Sequence, residues 1–99
     1  MKDHTKMAKN VDQAVGLLKA LGNKHRLMVL CALQDQELSV SQLNDLFPMP
    51  QSTLSQHLAW LRKEHFVTTR REAQTIFYRL SSTEVIEVIA VLHRLYCEG

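Results

Sequence analysis

Residues 50–65 read PQSTLSQHLAWLRKEH, and the fold turns on this stretch. Leu54, Leu58 and Leu61 fall at i, i+4 and i+7, which is one face of an amphipathic helix. The rest of its first half carries Gln51, Ser52, Thr53, Ser55, Gln56 and His57, all hydrogen-bonding and almost without formal charge. Such groups at the start of a helix suit the major groove, where they can reach base edges. They would equally suit a plain solvated face, so the flanking segments decide.

Upstream, Ser39-Val40-Ser41-Gln42 has capping-box spacing, Ser39 at the N-cap and Gln42 at N3. Val40, Leu43, Leu46 and Phe47 then form the apolar face of a short helix. Pro48-Met49-Pro50 cannot continue a helix and predicts a tight turn, with Pro50 as the first residue of the next helix. A short helix, a tight turn and a longer helix with a polar N-terminal face make a helix-turn-helix.

Downstream the period changes. Phe66–Arg70 and Thr75–Leu80 are rich in β-branched and aromatic residues and flank the charged tip Arg71-Glu72-Ala73-Gln74. This predicts a two-stranded hairpin packed on the helices, the wing of a winged helix. The wing can bring Arg70, Arg71 and Gln74 to phosphates or the minor groove. The two arginines could instead serve only to keep a strand edge soluble.

The outer segments complete one domain. Residues 1–8 read as a flexible polar arm, and residues 9–97 as a single winged-helix DNA-binding and dimerisation domain. A first helix over about 9–21 carries the stripe Val11, Ala14, Val15, Leu18 and Leu21 and stops at Gly22-Asn23. A second, from about Lys24 to Leu33, is apolar nearly all round. A last helix over about 82–97 opens on a Ser81–Glu84 capping box and carries Val85, Val88, Ile89, Leu92, Leu95 and Tyr96. These terminal stripes could close a monomer core. The narrow spacing and small chain favour a homodimer seam built from Val11, Val15, Leu18, Val88, Leu92 and Leu95. The expected order is four helices, two strands and a fifth helix: mainly α with a small β-hairpin.

Bulk properties exclude more than they assign. The chain has 99 residues, 45% hydrophobic and 22% charged, with a formal net charge of +2. Residues 47–80 hold Arg62, Lys63, Arg70, Arg71 and Arg79 against Glu64 and Glu72, a local excess that can meet a phosphate backbone. No apolar run reaches the roughly 20 residues of a membrane span, and the N-terminus lacks a secretory apolar core. The expectation is a cytoplasmic protein with no membrane partner. The two cysteines, Cys31 and Cys97, would by default be small buried hydrophobes in such a chain.

Three strings together resemble the ArsR/SmtB family of winged-helix regulators: Asn23-Lys24-His25-Arg26-Leu27, Glu37-Leu38-Ser39-Val40-Ser41-Gln42-Leu43 and Gln51-Ser52-Thr53-Leu54-Ser55-Gln56-His57-Leu58. The resemblance covers about residues 10–97. It implies a homodimer on a pseudo-palindromic duplex operator and no enzymatic activity. Pro50 departs from the pattern, since family members tend to carry a capping serine there.

Within the family, Leu54–Arg62, Glu72–Thr75, Leu80–Val85 and Leu92–Cys97 resemble a branch holding sulfur-responsive repressors and activators of virulence genes. The activators work by displacing a nucleoid-associated silencer. In the sulfur-responsive members two cysteines at the positions of Cys31 and Cys97 become bridged, so this resemblance implies a redox switch. Metal-responsive members carry Cys-x-Cys where this chain has Ser39 and Ser41, and a hydroxyl is a poor ligand for thiophilic metals. His93 and Cys97, one turn apart, are too few for a tight zinc site. The sequence therefore predicts no metal and no cofactor. A metal-responsive repressor and a DNA-binding anti-silencer with inert cysteines stand as alternatives. A thiol enzyme with Cys97 as nucleophile and His93 as base is the rival from another class, and no cofactor loop or substrate cleft supports it.

Overall fold

The computed structural model describes residues 4–98. In chain order the elements are α1 (His4–Leu21), α2 (Lys24–Ala32), β1 (Leu38–Ser39), α3 (Val40–Leu46), α4 (Gln51–Lys63), β2 (Val67–Glu72), β3 (Thr75–Leu80) and α5 (Thr83–Tyr96). The expected winged helix-turn-helix is present, with three differences that have physical causes.

The first concerns the N-terminus. The predicted arm, residues 1–8, is helical from His4 onward, while its residues 1–3 lie outside the described part. Thr5, Lys6, Met7 and Ala8 can continue a helix that Val11 onward already nucleates, and extending a helix is far easier than starting one. Asn10 supports it by donating from Nδ2 to the carbonyl of Lys6 at 3.0 Å.

The second is a third strand. The sheet order is β1-β3-β2, with Leu38 opposite Tyr78 and Ser39 opposite Phe77. Two residues are too short to leave an alternating signal. Ser39 also serves as the N-cap of α3, so its sequence context reads as helix start. The capping box is fully formed: Ser39 Oγ accepts from Gln42 N at 3.1 Å, and Gln42 Oε1 accepts from Ser39 N at 2.8 Å.

The third concerns helix ends. Pro50 is the N-cap of α4 rather than its first residue, and with no side-chain oxygen it makes no capping bond. On α5 the cap is Ser82, not Ser81: Ser82 Oγ accepts from Val85 N at 3.0 Å. Ser81 Oγ instead donates to the carbonyl of His65 at 3.1 Å, tying the end of β3 to the end of α4.

The core gathers the faces the apolar spacing foretold on α4: Leu54, Leu58 and Leu61 are fully buried. They meet Val29, Leu30 and Leu33 from α2 and its end, Leu43 from α3, and Val85 and Ile89 from α5. Each fully buried leucine contributes roughly 2 kcal/mol from burial alone, so these positions set the orientation of α4. Its C-terminus is fixed as firmly. Phe66 N donates to Leu61 O at 2.9 Å and His65 N to Arg62 O at 3.1 Å, with His65 at φ 66°. This is a Schellman end, and it turns the chain from α4 straight into β2.

The first helix does not bury the stripe that marked it. Ala20 is its buried residue, with Leu17 and Leu21 packed at the core's edge. Val11, Val15 and Leu18 remain 44%, 41% and 64% exposed.

Candidate nucleic-acid interface and thiol pair

With Leu54, Leu58 and Leu61 buried, the opposite crest of α4 is fixed by helical spacing. Ser52, Gln56, Ala59 and Lys63 lie along it at i, i+4, i+7 and i+11, all exposed. Gln51, Ser55 and Arg62 form one exposed flank. Thr53 and His57 are half-buried on the other flank, beside Trp60. The sequence-predicted set is thus divided among the crest (Ser52, Gln56), the exposed flank (Gln51, Ser55) and the half-buried flank (Thr53, His57), and Lys63, rather than Arg62, extends the row of Ser52 and Gln56. Only the angular position around the core face separates the two cations.

The flank of α4 carrying His57 packs on α2. The His57 and His25 rings have centroids 5.8 Å apart. The Arg26 guanidinium lies 4.4 Å over the Trp60 ring and donates from Nη2 to Lys19 O at 2.7 Å, so one side chain joins α1, α2 and α4. Burial pushes the His57 imidazole below its ordinary pKa, and the charges of Arg26 and His25 push it further the same way.

On the wing the two adjacent arginines differ. Strand alternation points them to opposite faces. Arg70 crosses over Phe77, its guanidinium 4.8 Å from the ring, and reaches Glu37 at 2.9 Å and Glu72 at 2.7 Å. The hydrogen bond from Arg70 holds the Glu37 carboxyl below the usual range. Both carboxylates raise the guanidinium's already high pKa. Arg70 therefore has its charge compensated within the sheet. Arg71 donates only from Nε to Ala73 O, at 3.1 Å, and stays exposed at the tip beside Gln74. Ala73 makes the two-residue turn at φ 56°.

The thiols lie on two other helices. Cys31 is on α2 and Cys97 caps the C-terminus of α5, and both are exposed and free rather than buried. Partial burial of its sulfur pushes the Cys31 thiol up, and a charge on Cys97 acts in the same direction. His93, one turn before Cys97, faces Glu98, with Nδ1 3.5 Å from the carboxylate. Among the described residues no group of three or more His, Cys, Asp or Glu is placed to hold a metal ion.

Residues 23–69 match the family described as bacterial regulatory protein, arsR family. The chain is 58% identical over 93 residues to the transcriptional activator HlyU of Vibrio cholerae, spanning 94% of this chain and 86% of that protein. This chain belongs to the arsR family. It is a DNA-binding transcriptional regulator, with α3 and α4 as its helix-turn-helix. A structure of reduced HlyU from Vibrio cholerae superposes with a TM-score of 0.89 at 59% identity, over 93% of this chain and 97% of that one. The transcriptional repressor BigR from Xylella fastidiosa superposes with a TM-score of 0.85 at 36% identity, over 96% and 97% of the two chains. No described helix is long and apolar enough to cross a membrane.

Proposed function

We propose that this arsR-family regulator works as a cytoplasmic homodimer whose grip on a pseudo-palindromic operator is controlled by the thiol state of Cys31 and Cys97. The observation that carries the reading is the pair itself. Two free, exposed thiols stand on α2, which packs on the recognition helix, and at the end of α5, which packs on α2. The solved form of the Vibrio cholerae relative named as reduced supports it further.

The dimer reading rests on uncovered apolar surface. Val11, Val15 and Leu18 on α1 and Leu95 and Tyr96 on α5 are exposed, while Val88 and Leu92 are half-buried. A second copy would cover them and set two α4 helices about 34 Å apart, one turn of duplex. Ser52, Gln56 and Lys63 would then face the major groove and Arg71 and Gln74 the flanking backbone.

The switch chemistry balances with an organic persulfide as oxidant. A Cys97 thiolate attacks the sulfane sulfur of RS–SH, giving a Cys97 persulfide and releasing the thiol RSH. The Cys31 thiol then attacks the inner sulfur, forming the Cys31–Cys97 disulfide and expelling hydrogen sulfide. Cys31, whose thiol is held up by burial, is the resolving partner. The bridge ties α2 to α5 and changes the freedom of α4 through their shared core. A coupling of about 1–3 kcal/mol changes DNA affinity roughly 5- to 150-fold. The output depends on the promoter: repression where the operator overlaps a start site, activation of virulence genes where the dimer displaces a nucleoid-associated silencer.

The double variant Cys31→Ser, Cys97→Ser tests the reading. It should bind a duplex as the reduced protein does and ignore persulfide. A double variant that still responds contradicts the switch.

A further inference from the structure

The helix-turn-helix account leaves one corner unused, where the N-terminus of α2 meets α4. Asn23 caps α2 by accepting from both His25 N and Arg26 N, at 3.0 and 3.1 Å, so Lys24 and His25 stand in its first turn. Lys24 and His25 are exposed, and the His25 ring is 5.8 Å from that of His57 on the recognition helix. Arg26 behind them is engaged with Trp60 and Lys19 and holds the corner rigid. The charged groups acting on His57 are Arg26 and His25, both from α2; α3 and β2, which also pack on α4, add none. Among the described residues no carboxylate offsets them. The corner therefore presents two imidazoles, a lysine and the positive end of a helix, with no carboxylate among the charged groups acting on His57. A strand flanking the groove entered by α4 would supply a counter-charge.

We propose that His25 and His57 together contact a backbone phosphate, and that DNA binding takes up one proton at this pair. The proposal rests on α4 being the groove helix and adds α2 to the interface. In the free protein, burial and the charges of Arg26 and His25 disfavour the protonated form of His57. A phosphate beside the rings reverses that balance, and a ring nitrogen takes its proton from solvent; no other bond forms or breaks. The bound-state pKa then exceeds the free-state value. Affinity is highest at low pH, falls as pH rises through the bound-state value, and levels off above it.

The test is fluorescence anisotropy of the reduced full-length protein on a labelled generic duplex at low, constant ionic strength, between about pH 5.5 and 8.5. The expected Kd rises by up to about tenfold per pH unit in the steepest part, the signature of one proton. His57→Gln and His25→Gln, with melting curves matched to the parent, should flatten that slope. A parent Kd constant within about twofold across the range, or a His57→Gln variant that retains the slope, overturns the proposal. Failure of the α4 reading shows separately: Gln56→Ala and Lys63→Ala would then bind like the parent at every pH.

Discussion

The Arg70 guanidinium stands 2.9 Å from the Glu37 carboxylate, having crossed the strand between them and stacked on Phe77. The pair ties the outer strand of the wing to the turn before β1, on the far edge of the sheet. It also separates two arginines that the sequence presents as equals. Arg71→Ala should weaken DNA binding uniformly across sequences and lower the salt slope by about 1, as expected for one lost phosphate contact. Arg70→Ala should leave that slope nearly unchanged. Equal slopes for the two variants, from titrations at several salt concentrations, would return Arg70 to the interface.

The same pair makes stability depend on acid. Glu37 has its folded-state pKa lowered, chiefly by the Arg70 hydrogen bond. Its contribution is therefore present above the unfolded glutamate value and lost as pH falls through the lower folded one. Both partners are solvent-screened, so the effect is modest. Melting curves between about pH 3 and 7 should show a shallower acid decline for Arg70→Met than for the parent. Parallel declines would mean that the pair is thermodynamically idle.

Local backbone geometry gives sharper stability predictions. His65 holds a left-handed φ of 66° at the Schellman end of α4. His65→Gly should raise stability by about 1 kcal/mol. Ser39→Ala removes one half of the α3 capping box and should cost about 1 kcal/mol. Urea denaturation measures both, and a destabilised His65→Gly would show that the imidazole has a tertiary role.

The uncovered stripe on α1 and α5 predicts how the chain assembles. Leu18 is 64% exposed and Leu95 59%. A glutamate at either position meets water in a monomer and apolar surface in a dimer. Leu18→Glu and Leu95→Glu should shift sedimentation from dimer to monomer while far-UV circular dichroism is kept. A monomeric parent would remove the paired-half-site geometry.

Much of this was legible because one helix has a strict apolar face. Leu54, Leu58 and Leu61 announce the buried side of α4, and the prolines and Ser39 announce the turn and helix before it. The hairpin strands carry enough β-branched and aromatic residues to be read directly. Less visible were features set by tertiary contact. Strand β1 is two residues long and exists because β3 lies beside it. Ser82 caps α5, while the Ser81 hydroxyl donates to the His65 carbonyl. The α1 stripe leaves core and dimer seam both open in sequence, with the seam favoured; the core meets α1 through Ala20, Leu17 and Leu21. The pairing of Arg70 with a residue 33 positions away, and of His25 with His57, comes only from packing.

Bridging of Cys31 to Cys97 and loss of DNA grip are expected to be one event. The direct measurement is peptide mapping by mass spectrometry after exposure to an organic persulfide, with duplex binding measured on the same samples. The expected result is a Cys31–Cys97 crosslinked peptide whose fraction tracks the loss of binding, reversed by reductant. Unmodified thiols, or a complete crosslink with unchanged Kd, would contradict it.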